Sequence, residues 1–240
     1  YDYSGRWNMV PGTGWSYNGT EKVLLAGTRL NIEKVTGDVF TGTMEQVVGS
    51  AVVEKEICGA AVCETGGILR LLAIDNYGLS WFFYVDVNAG KILAVTMQTS
   101  QIDEFDQQVM AAQRVYTRDG TGSDVMPAVN IEGTVWTEVS REAIKASGEY
   151  EDQELGATVK VEAQDGCAFR LTINYGGYLN EGVGYLVGTA FGFIIQSEGG
   201  EPEICYGELV GDTMIITAHM HGQVTGKYMA VVWHLQAVSG

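Results

Sequence analysis

The histidines are the first residues in the sequence that could do chemistry. The chain has three, and His219 and His221 stand two apart in a segment rich in β-branched and apolar residues. Residues i and i+2 of a strand share a face, so both rings could reach one metal ion. A hairpin turning near Val224, however, sets His234 opposite residues 213–215, about 16 Å from His219 at ~3.3 Å per residue. Surface or interface histidines are therefore the stronger interpretation, and the metal site is a weak one.

The cysteines are an even set of four, which could form two disulfides. Pairing within each half would join Cys58 to Cys63 and Cys167 to Cys205. Bridges between chains and four reduced thiols in the core remain open alternatives. The spacing is not Cys-x-x-Cys and no histidine lies near the first pair, so zinc is not indicated.

Other catalytic and binding motifs are missing from the sequence. There is no Gly-x-Ser-x-Gly elbow, no phosphate-binding loop and no dinucleotide fingerprint. The acidic run 149–154 lacks the alternating carboxylates of a calcium loop, although divalent cations could bind between copies of such an acidic chain. We therefore predict no enzymatic activity and no cofactor.

Composition restricts the partners. The 240 residues carry 30 acids against 14 Lys and Arg, a net charge of −16, which argues against nucleic acid and anionic membranes. No apolar run reaches the roughly 18–20 residues of a spanning helix. The chain begins at Tyr1 without a basic and apolar leader, as a processed or trimmed protein would. Low lysine content, acidic balance and the even cysteine count favour an extracellular protein, and Asn18 heads a glycosylation sequon.

An internal repeat is the most informative feature. Trp7 and Trp136 lie 129 residues apart, and at the same offset the segment 27–40 matches 156–169. Two later blocks match in the same order, at offsets of 121 and 119: residues 90–96 with 211–217, and 110–116 with 229–235. We therefore predict two copies of one fold: residues 1–118, a linker at 119–130, and residues 131–240.

Each copy is predicted to be an antiparallel β-barrel or β-sandwich. Its runs are rich in Val, Ile, Thr and aromatic residues and are separated by glycine-containing turns. Residues 102–112 have helical spacing, but the repeat assigns them to a strand from Val109 onward. Ser140–Ser147, which begins with Ser and is followed by Gly148, predicts a short capped helix.

The first copy opens with Gly5-Arg6-Trp7 and closes near Arg114 and Arg118. This arrangement resembles the closure signature of calycin barrels, the lipocalins and their relatives, in which a first-strand Trp packs under a late Arg. The resemblance implies a closed barrel.

The second copy repeats this opening in residues 133–136, but Trp233 and Ala237 stand where the two arginines would fall. The repeats also resemble repeat domains in secreted proteins of methanogenic archaea. The shared features are the opening Trp, the strands separated by glycines and the closing Ala-x-x-Val-Tyr-Thr-Arg. That resemblance implies a surface layer or tubular sheath.

Sheet edges decide between the candidate functions. Residues 91–102, 182–197 and 228–240 carry almost no charge, whereas exposed edge strands of monomeric proteins are protected by Lys, Pro or inward charges. Either the barrels close or the edges pair with other molecules. We predict an extracellular structural protein that self-assembles through strand edges into a homo-oligomer or polymer. The alternative is a secreted lipocalin-like or avidin-like protein that binds a small molecule or carbohydrate, with aromatic residues lining its cavity.

Overall fold

The computed structural model describes residues 2–18, 21–48, 50–101, 107–122, 126–145, 156–175, 177–196, 202–222 and 227–238. Within these ranges all regular structure is β-strand. No helix long and apolar enough to cross a membrane occurs in them. The chain divides into two compact units, Tyr1–Gln98 with Ala111–Met126 and Thr99–Met110 with Pro127–Gly240.

Ten strands form the first sheet. Their bounds are β1 Gly5–Met9, β2 Trp15–Tyr17, β3 Lys22–Leu24, β4 Arg29–Thr36, β5 Val39–Val48, β6 Ala51–Thr65, β7 Ile68–Asp75, β8 Ser80–Asp86, β9 Lys91–Gln101 and β10 Gln107–Thr117. Eight of them, β1 and β4 to β10, form an antiparallel barrel that is closed where Asn8 and Met9 of β1 pair with Thr117 and Tyr116 of β10.

Eight strands form the second sheet. Their bounds are β11 Val135–Lys145, β12 Thr158–Asp165, β13 Ala168–Tyr175, β14 Tyr178–Val187, β15 Ala190–Gln196, β16 Glu203–Val210, β17 Thr213–Gly222 and β18 Lys227–Ala237. They follow one another around a closed barrel. The predicted fold class, two tandem antiparallel β-barrels or β-sandwiches related by duplication, is confirmed, and both copies are barrels.

The two copies match in backbone detail. The β4–β5 and β12–β13 hairpins turn at Gly37 and Gly166, whose φ angles are 60° and 62°. Since L-residues with side chains rarely adopt such angles, glycine is required at both turns. Both hairpins also contain a β-bulge, at Glu33 in β4 and at Glu162 in β12. A shared bulge at the same 129-residue offset agrees with the duplication expected from sequence.

The first strands of the two barrels differ. In the first barrel, β1 ends at Met9, the chain turns, and β2 takes over the pairing with β10 through Trp15 to Tyr17. The short β3 then pairs with β2. In the second barrel, β11 runs alongside β18 from Trp136 to Lys145, with one bulge at Val139.

The predicted helix at Ser140–Ser147 is wrong. Residues 140–145 belong to β11 and pair with His234 to Met229 of β18. Ladder hydrogen bonds and inward packing at alternate positions outweigh a local capping pattern, because helix propensity is a weak preference. The strand expected from Val109 onward is present in β10.

The uncharged strands are paired within the barrels, which is the closure alternative of the two that the sequence left open. β9 lies between β8 and β10, β14 lies between β13 and β15, and β18 lies between β17 and β11. Because each of these strands has a neighbour on both sides, barrel closure satisfies their backbone groups within the chain.

Both barrels are filled with apolar side chains. In the first, the rings of Phe40 and Phe83 meet edge to face at 6.2 Å. In the second, Phe191 and Phe193 stack at 6.0 Å. Glycines make room for these rings: a Cβ added at Gly207 would lie 2.6 Å from Phe191. The interiors are therefore close-packed over most of their length.

The last part of the predicted linker is bound to the second barrel. Gly188 donates its N–H to the carbonyl of Pro127 at 2.6 Å. Gln164 accepts from the N–H of Ile131 at 2.8 Å and donates to the carbonyl of Val129 at 2.9 Å. These bonds hold residues 127–131 against the turns of that barrel.

The closure contact expected in the first barrel is present. The guanidinium of Arg118 lies 3.8 Å from the ring of Trp7, which is fully buried. Arg118 also donates to the carbonyls of Arg6 and Asp2, both at 3.4 Å. Arg114 lies 5.5 Å from Trp81 instead. Arg118 is therefore the residue that covers the first-strand Trp.

Replacing Arg118 with alanine should destabilise the first barrel by about 1 kcal/mol, because it removes a cation from the face of a tryptophan. Urea unfolding followed by tryptophan fluorescence measures the change. Arg6→Ala is the matched control, since this exposed arginine lies on the same strand as Trp7, and it should change the free energy of unfolding by less than about 0.5 kcal/mol. Equal effects from the two substitutions would contradict the role of Arg118.

Candidate functional site

Polar side chains collect on the inner face of the second barrel at one end. Strand pairing identifies the inward positions: Asn180 pairs with the core residue Ile173, Glu203 with Ile195, and Arg141 with Trp233. Paired residues of neighbouring strands face the same side of a sheet. We call the inward set at this end the polar layer; its members are Glu138, Arg141, Tyr175, Asn180, Glu203 and Trp233.

The β11 bulge places two charged residues of one strand in the polar layer. Glu138 pairs with Leu235 and Arg141 with Trp233, both of which face the core. Residues three apart on a regular strand face opposite sides, but the extra residue Val139 restores the inward direction. The bulge therefore lets Glu138 and Arg141 meet inside the barrel.

Glu138 and Arg141 form a complete ion pair. The Arg141 Nε and Nη2 donate to the two carboxylate oxygens of Glu138 at 2.6 and 2.8 Å. The backbone N–H groups of Gly156 and Ala157 donate to Glu138 Oε2 at 3.0 and 2.9 Å. Burial alone would raise the pKa of the Glu138 carboxyl, but these four hydrogen bonds and the positive charge lower it below its ordinary value. Glu138 is thus a fixed carboxylate.

Two aromatic rings extend the layer across the lumen. Arg141 Nη1 donates to the Tyr175 hydroxyl at 2.9 Å, and its guanidinium lies 5.1 Å from the Tyr175 ring. The rings of Tyr175 and Trp233 are 5.9 Å apart and tilted by 43°. Since Tyr175 ends β13 and Trp233 lies in β18, this contact joins side chains from separate strands.

Two buried polar atoms of the layer have no hydrogen-bond partner among the described residues. They are the indole Nε1 of Trp233 and the amide Oδ1 of Asn180. Trp233 is only 3% exposed, so its N–H is well removed from solvent. A buried donor or acceptor left without a partner costs about 1–3 kcal/mol. The layer therefore offers one donor and one acceptor to a molecule that enters it.

Glu203 is the third polar group that faces the lumen at this end. It lies two residues before the fully buried Cys205 on β16, on the same inward face. Burial raises the pKa of Glu203 to about 7. Arg141, the described cation of the layer, is already held by both oxygens of Glu138. The Glu203 carboxyl thus lacks the ion pair that stabilises Glu138.

Apolar packing forms a floor beneath the polar layer. Gly182 follows Asn180 on the inner face of β14, and an added Cβ there would lie 2.7 Å from Ile195 and 3.2 Å from Leu171. Phe193 and Phe169, both buried, meet at 6.4 Å further inside. The lumen is thus filled below the layer, while Asn180 and Glu203 remain half-buried at its rim.

The candidate histidines do not belong to this layer. His234 pairs with Ile215, within the predicted span 213–215, and its Nε2 lies 3.8 Å from Glu142. His219 and His221 lie on β17 and alternate with the inward Ala218, but their side chains are outside the described part of the structure. In the part of the chain that is described, no group of three His, Cys, Asp or Glu could hold a metal ion.

The predicted disulfides are not formed in the described structure. Cys58 and Cys63 lie on one strand, β6, five residues or about 16 Å apart, beyond the ~7 Å limit for bridged Cα atoms. Their spacing along one strand therefore disfavours a bridge between them. Cys167 and Cys205 are thiols rather than halves of a bridge, and both are buried. Burial raises the pKa of the Cys205 thiol well above its ordinary value, so it is an unreactive core group.

The remaining predicted sites are residues that hold a turn or fill the core, or they lie outside the described residues. Asn18 Oδ1 accepts the backbone N–H of Glu21 at 2.8 Å in the β2–β3 turn; glycosylation there stays a prediction. The acidic run 149–154 falls outside the described residues. Trp7, Trp81 and Trp136 are buried in the barrels.

Sequence reasoning missed five of the six residues of the polar layer. Each stands alone in sequence, on β11, β13, β14 or β16, without a motif. One signal was available: Trp233 occupies the position where the first copy has Arg114. A bulky aromatic residue replacing an inward arginine indicates that the two interiors have diverged.

Replacing Glu138 with glutamine should destabilise the protein by about 3–5 kcal/mol, because Arg141 would keep a buried charge without its anion. The pKa of Glu138 is lowered by folding, so its contribution is present above the ordinary value of 4.5 and is lost as pH falls through the folded-state value. Urea unfolding from pH 3 to pH 7 measures it. The difference between wild type and E138Q should shrink in acid, whereas E142Q, an exposed carboxylate on the same strand, should match wild type throughout.

Glu203 should have the opposite pH dependence. Its pKa is raised to about 7 in the folded protein, so its contribution is complete below the ordinary value and is lost as pH rises towards 7. Relative to E203Q, the wild type should lose at most about 1.4 kcal/mol of unfolding free energy for each pH unit of this interval. The same titration of E208Q, on the outer face of β16, should follow wild type. A flat difference between wild type and E203Q would contradict burial of this carboxyl.

No protein-family model matches the chain, and no curated protein matches it. Among solved structures, a DUF3598 family protein of unknown function from Nostoc punctiforme aligns with a TM-score of 0.43 and 11% identity over 98% of this chain and 96% of that one. Transferrin-binding protein B of Neisseria meningitidis aligns with a TM-score of 0.32 and 9% identity over 88% and 65%. A mutant of that protein from Haemophilus parasuis gives 0.31 and 8% over 89% and 53%. Likenesses this distant carry no argument about function.

Proposed function

We propose that this protein binds a small polar molecule in the polar layer of its second barrel. The observation that supports the proposal is the pair of buried atoms without partners, Trp233 Nε1 and Asn180 Oδ1. Both belong to inward-facing residues at one end of the barrel. A molecule that accepts from the first atom and donates to the second would remove two desolvation penalties at once.

The layout of the layer fits entry from its rim. Asn180, Tyr175 and Glu203 are half-buried, whereas Trp233 is 3% exposed and lies deeper. Concave, largely apolar sites with a few convergent polar groups are the usual form of small-molecule sites, and the mouths of β-barrels are a common place for them. The aromatic faces of Tyr175 and Trp233 provide apolar walls.

Binding has more support than catalysis. Glu138 is fixed by four hydrogen bonds and Arg141 by three, so neither is positioned to exchange a proton with a substrate. Glu203 would be a single acid or base without a paired nucleophile. General acid–base chemistry requires a positioned partner on the substrate side, and His234 alternates with the inward Trp233 and Leu235 and so faces outward.

Self-assembly has less support than ligand binding. The argument for it rests on unprotected strand edges, and each of those strands has a neighbour on both sides in its barrel. The end strand of the first sheet is β3, three residues long with exposed Val23 and Leu24, whereas stable edge-to-edge growth needs longer ladders. We retain an extracellular location as part of the proposal, on the acidic balance and low lysine content.

Nuclear magnetic resonance of the indole N–H groups tests the proposal directly. Glucose, ethylene glycol, ethanolamine, choline and glycolate would each be titrated into ¹⁵N-labelled full-length protein in the millimolar range. At least one should shift the Trp233 indole resonance, identified by its loss in W233F. The Trp136 indole, which donates to Thr134 at 2.9 Å, is the internal control and should not move. If the Trp233 resonance stays constant with all five, the proposal is wrong.

Asn180→Leu separates stability from binding. It should raise the free energy of unfolding by about 1 kcal/mol, because an apolar side chain replaces a buried acceptor that has no partner. It should also abolish the ligand-induced shift. Such a trade-off is typical of functional positions. Asn174→Leu, at an exposed position of β13, should leave binding unchanged; loss of stability in N180L would instead assign Asn180 a structural role.

A further inference from the structure

We propose that the ligand of the polar layer is a small organic cation that carries N–H donors and an oxygen acceptor, with Glu203 as its counter-ion. This inference rests on the proposed function and narrows it to one chemical class. The charge balance of the layer carries it. Glu138 and Arg141 cancel in a two-point ion pair, so the Glu203 carboxylate leaves one negative charge without compensation among the described members of the layer.

Hydrogen-bonding capacity points the same way. The buried atoms of the layer without a partner are Oδ1 of Asn180, which accepts, and the Trp233 indole N–H, which donates. The half-buried Glu203 carboxylate adds two acceptor oxygens beside them. A carboxylate and an amide oxygen need N–H or O–H donors from the ligand, while the indole N–H needs one acceptor. An ammonium group with a nearby hydroxyl, as in an amino alcohol or amino sugar, supplies both.

The aromatic walls also favour a cation. The Tyr175 ring already makes a cation–π contact with the Arg141 guanidinium, which lies 5.1 Å from the ring centre. The adjacent Trp233 ring, 5.9 Å from Tyr175, is the better cation-binding ring of the two types. A cation held by Glu203 near this ring would gain from both interactions.

The alternatives are less well matched. An anion would place a second negative charge beside Glu203 while Arg141 is occupied by Glu138. A neutral ligand would cover the half-buried Glu203 carboxylate without supplying a counter-ion, which is costly. The net charge of the second half of the chain also favours a cation. Residues 121–240 hold 16 acids and 5 bases, a net charge of −11, and the resulting electrostatic field raises the local concentration of cations.

Proton linkage gives a second signature. Burial raises the pKa of Glu203 to about 7, and a bound cation would lower it again. Below neutral pH, the proton and the ligand therefore compete for the same carboxyl. The affinity for a cation should fall about tenfold per pH unit below pH 7.

The decisive experiment compares four matched probes at pH 8, using the Trp233 indole resonance and calorimetry on the full chain. Ethanolamine carries the ammonium and the hydroxyl. Choline lacks N–H donors, ethylene glycol lacks the charge, and glycolate reverses it. Ethanolamine should bind at least tenfold more tightly than each of the other three. E203Q should lose at least tenfold in ethanolamine affinity and its pH dependence, whereas E208Q, on the same strand but the outer face, should match wild type.

The outcomes separate the two proposals. Binding of ethylene glycol or glycolate at Trp233 with an affinity equal to ethanolamine would overturn the cation inference and leave ligand binding intact. Ethanolamine affinity that is unchanged in a folded E203Q would also overturn it, because the counter-ion would not be Glu203. A Trp233 resonance unmoved by all of the probes would overturn both.

Discussion

The pairing of the first strand with the last is the interaction on which each barrel depends. In the second barrel this pairing runs from Trp136 opposite Ala237 to Lys145 opposite Met229. Because side chains alternate across a strand, the register decides which residues face the lumen. A one-residue shift in the register of β18 would turn His234 inward in place of Trp233 and would separate the members of the polar layer. Closure thus removes the sheet edges and also determines which polar side chains face the lumen.

The duplicated barrels have diverged at the same strand. In the first, the chain leaves β10 after Met9 and returns as β2, so the first strand is broken in two. In the second, β11 stays paired throughout and absorbs the irregularity as a single bulge at Val139. A break places the extra residues in the hairpin β2–β3 at the surface. A bulge keeps them in the sheet, where they turn charged side chains inward.

The sequence predicted the architecture better than the site. Two copies and strands throughout follow from repeats and alternation, which are local or periodic signals. The arginine over Trp7 was implied by the resemblance to calycin barrels. The helix at residues 140–147 failed because its capping pattern is local, whereas pairing with β18 is a long-range contact. The even cysteine count could not show that Cys58 and Cys63 share one strand, where a bridge between them is disfavoured. The polar layer was invisible because Asn180 and Glu203 are ordinary polar residues until the register places them at one end of a lumen.

Unsatisfied polar groups are a sharper guide to function here than charged ones. The protein has 30 acids, and most of those in the described ranges are exposed, so acidity alone selects no site. Glu138 is buried, but its carboxylate accepts four hydrogen bonds and is paired with Arg141, so a structural role explains it. Trp233 Nε1 and Asn180 Oδ1 are buried without a hydrogen-bond partner. They lie at one end of a barrel whose described interior is otherwise tightly packed. A fold that could fill this end with apolar side chains, as it does a few ångströms deeper, gains no stability from leaving these groups unpaired. Their presence at this end is therefore the reason for proposing a ligand there.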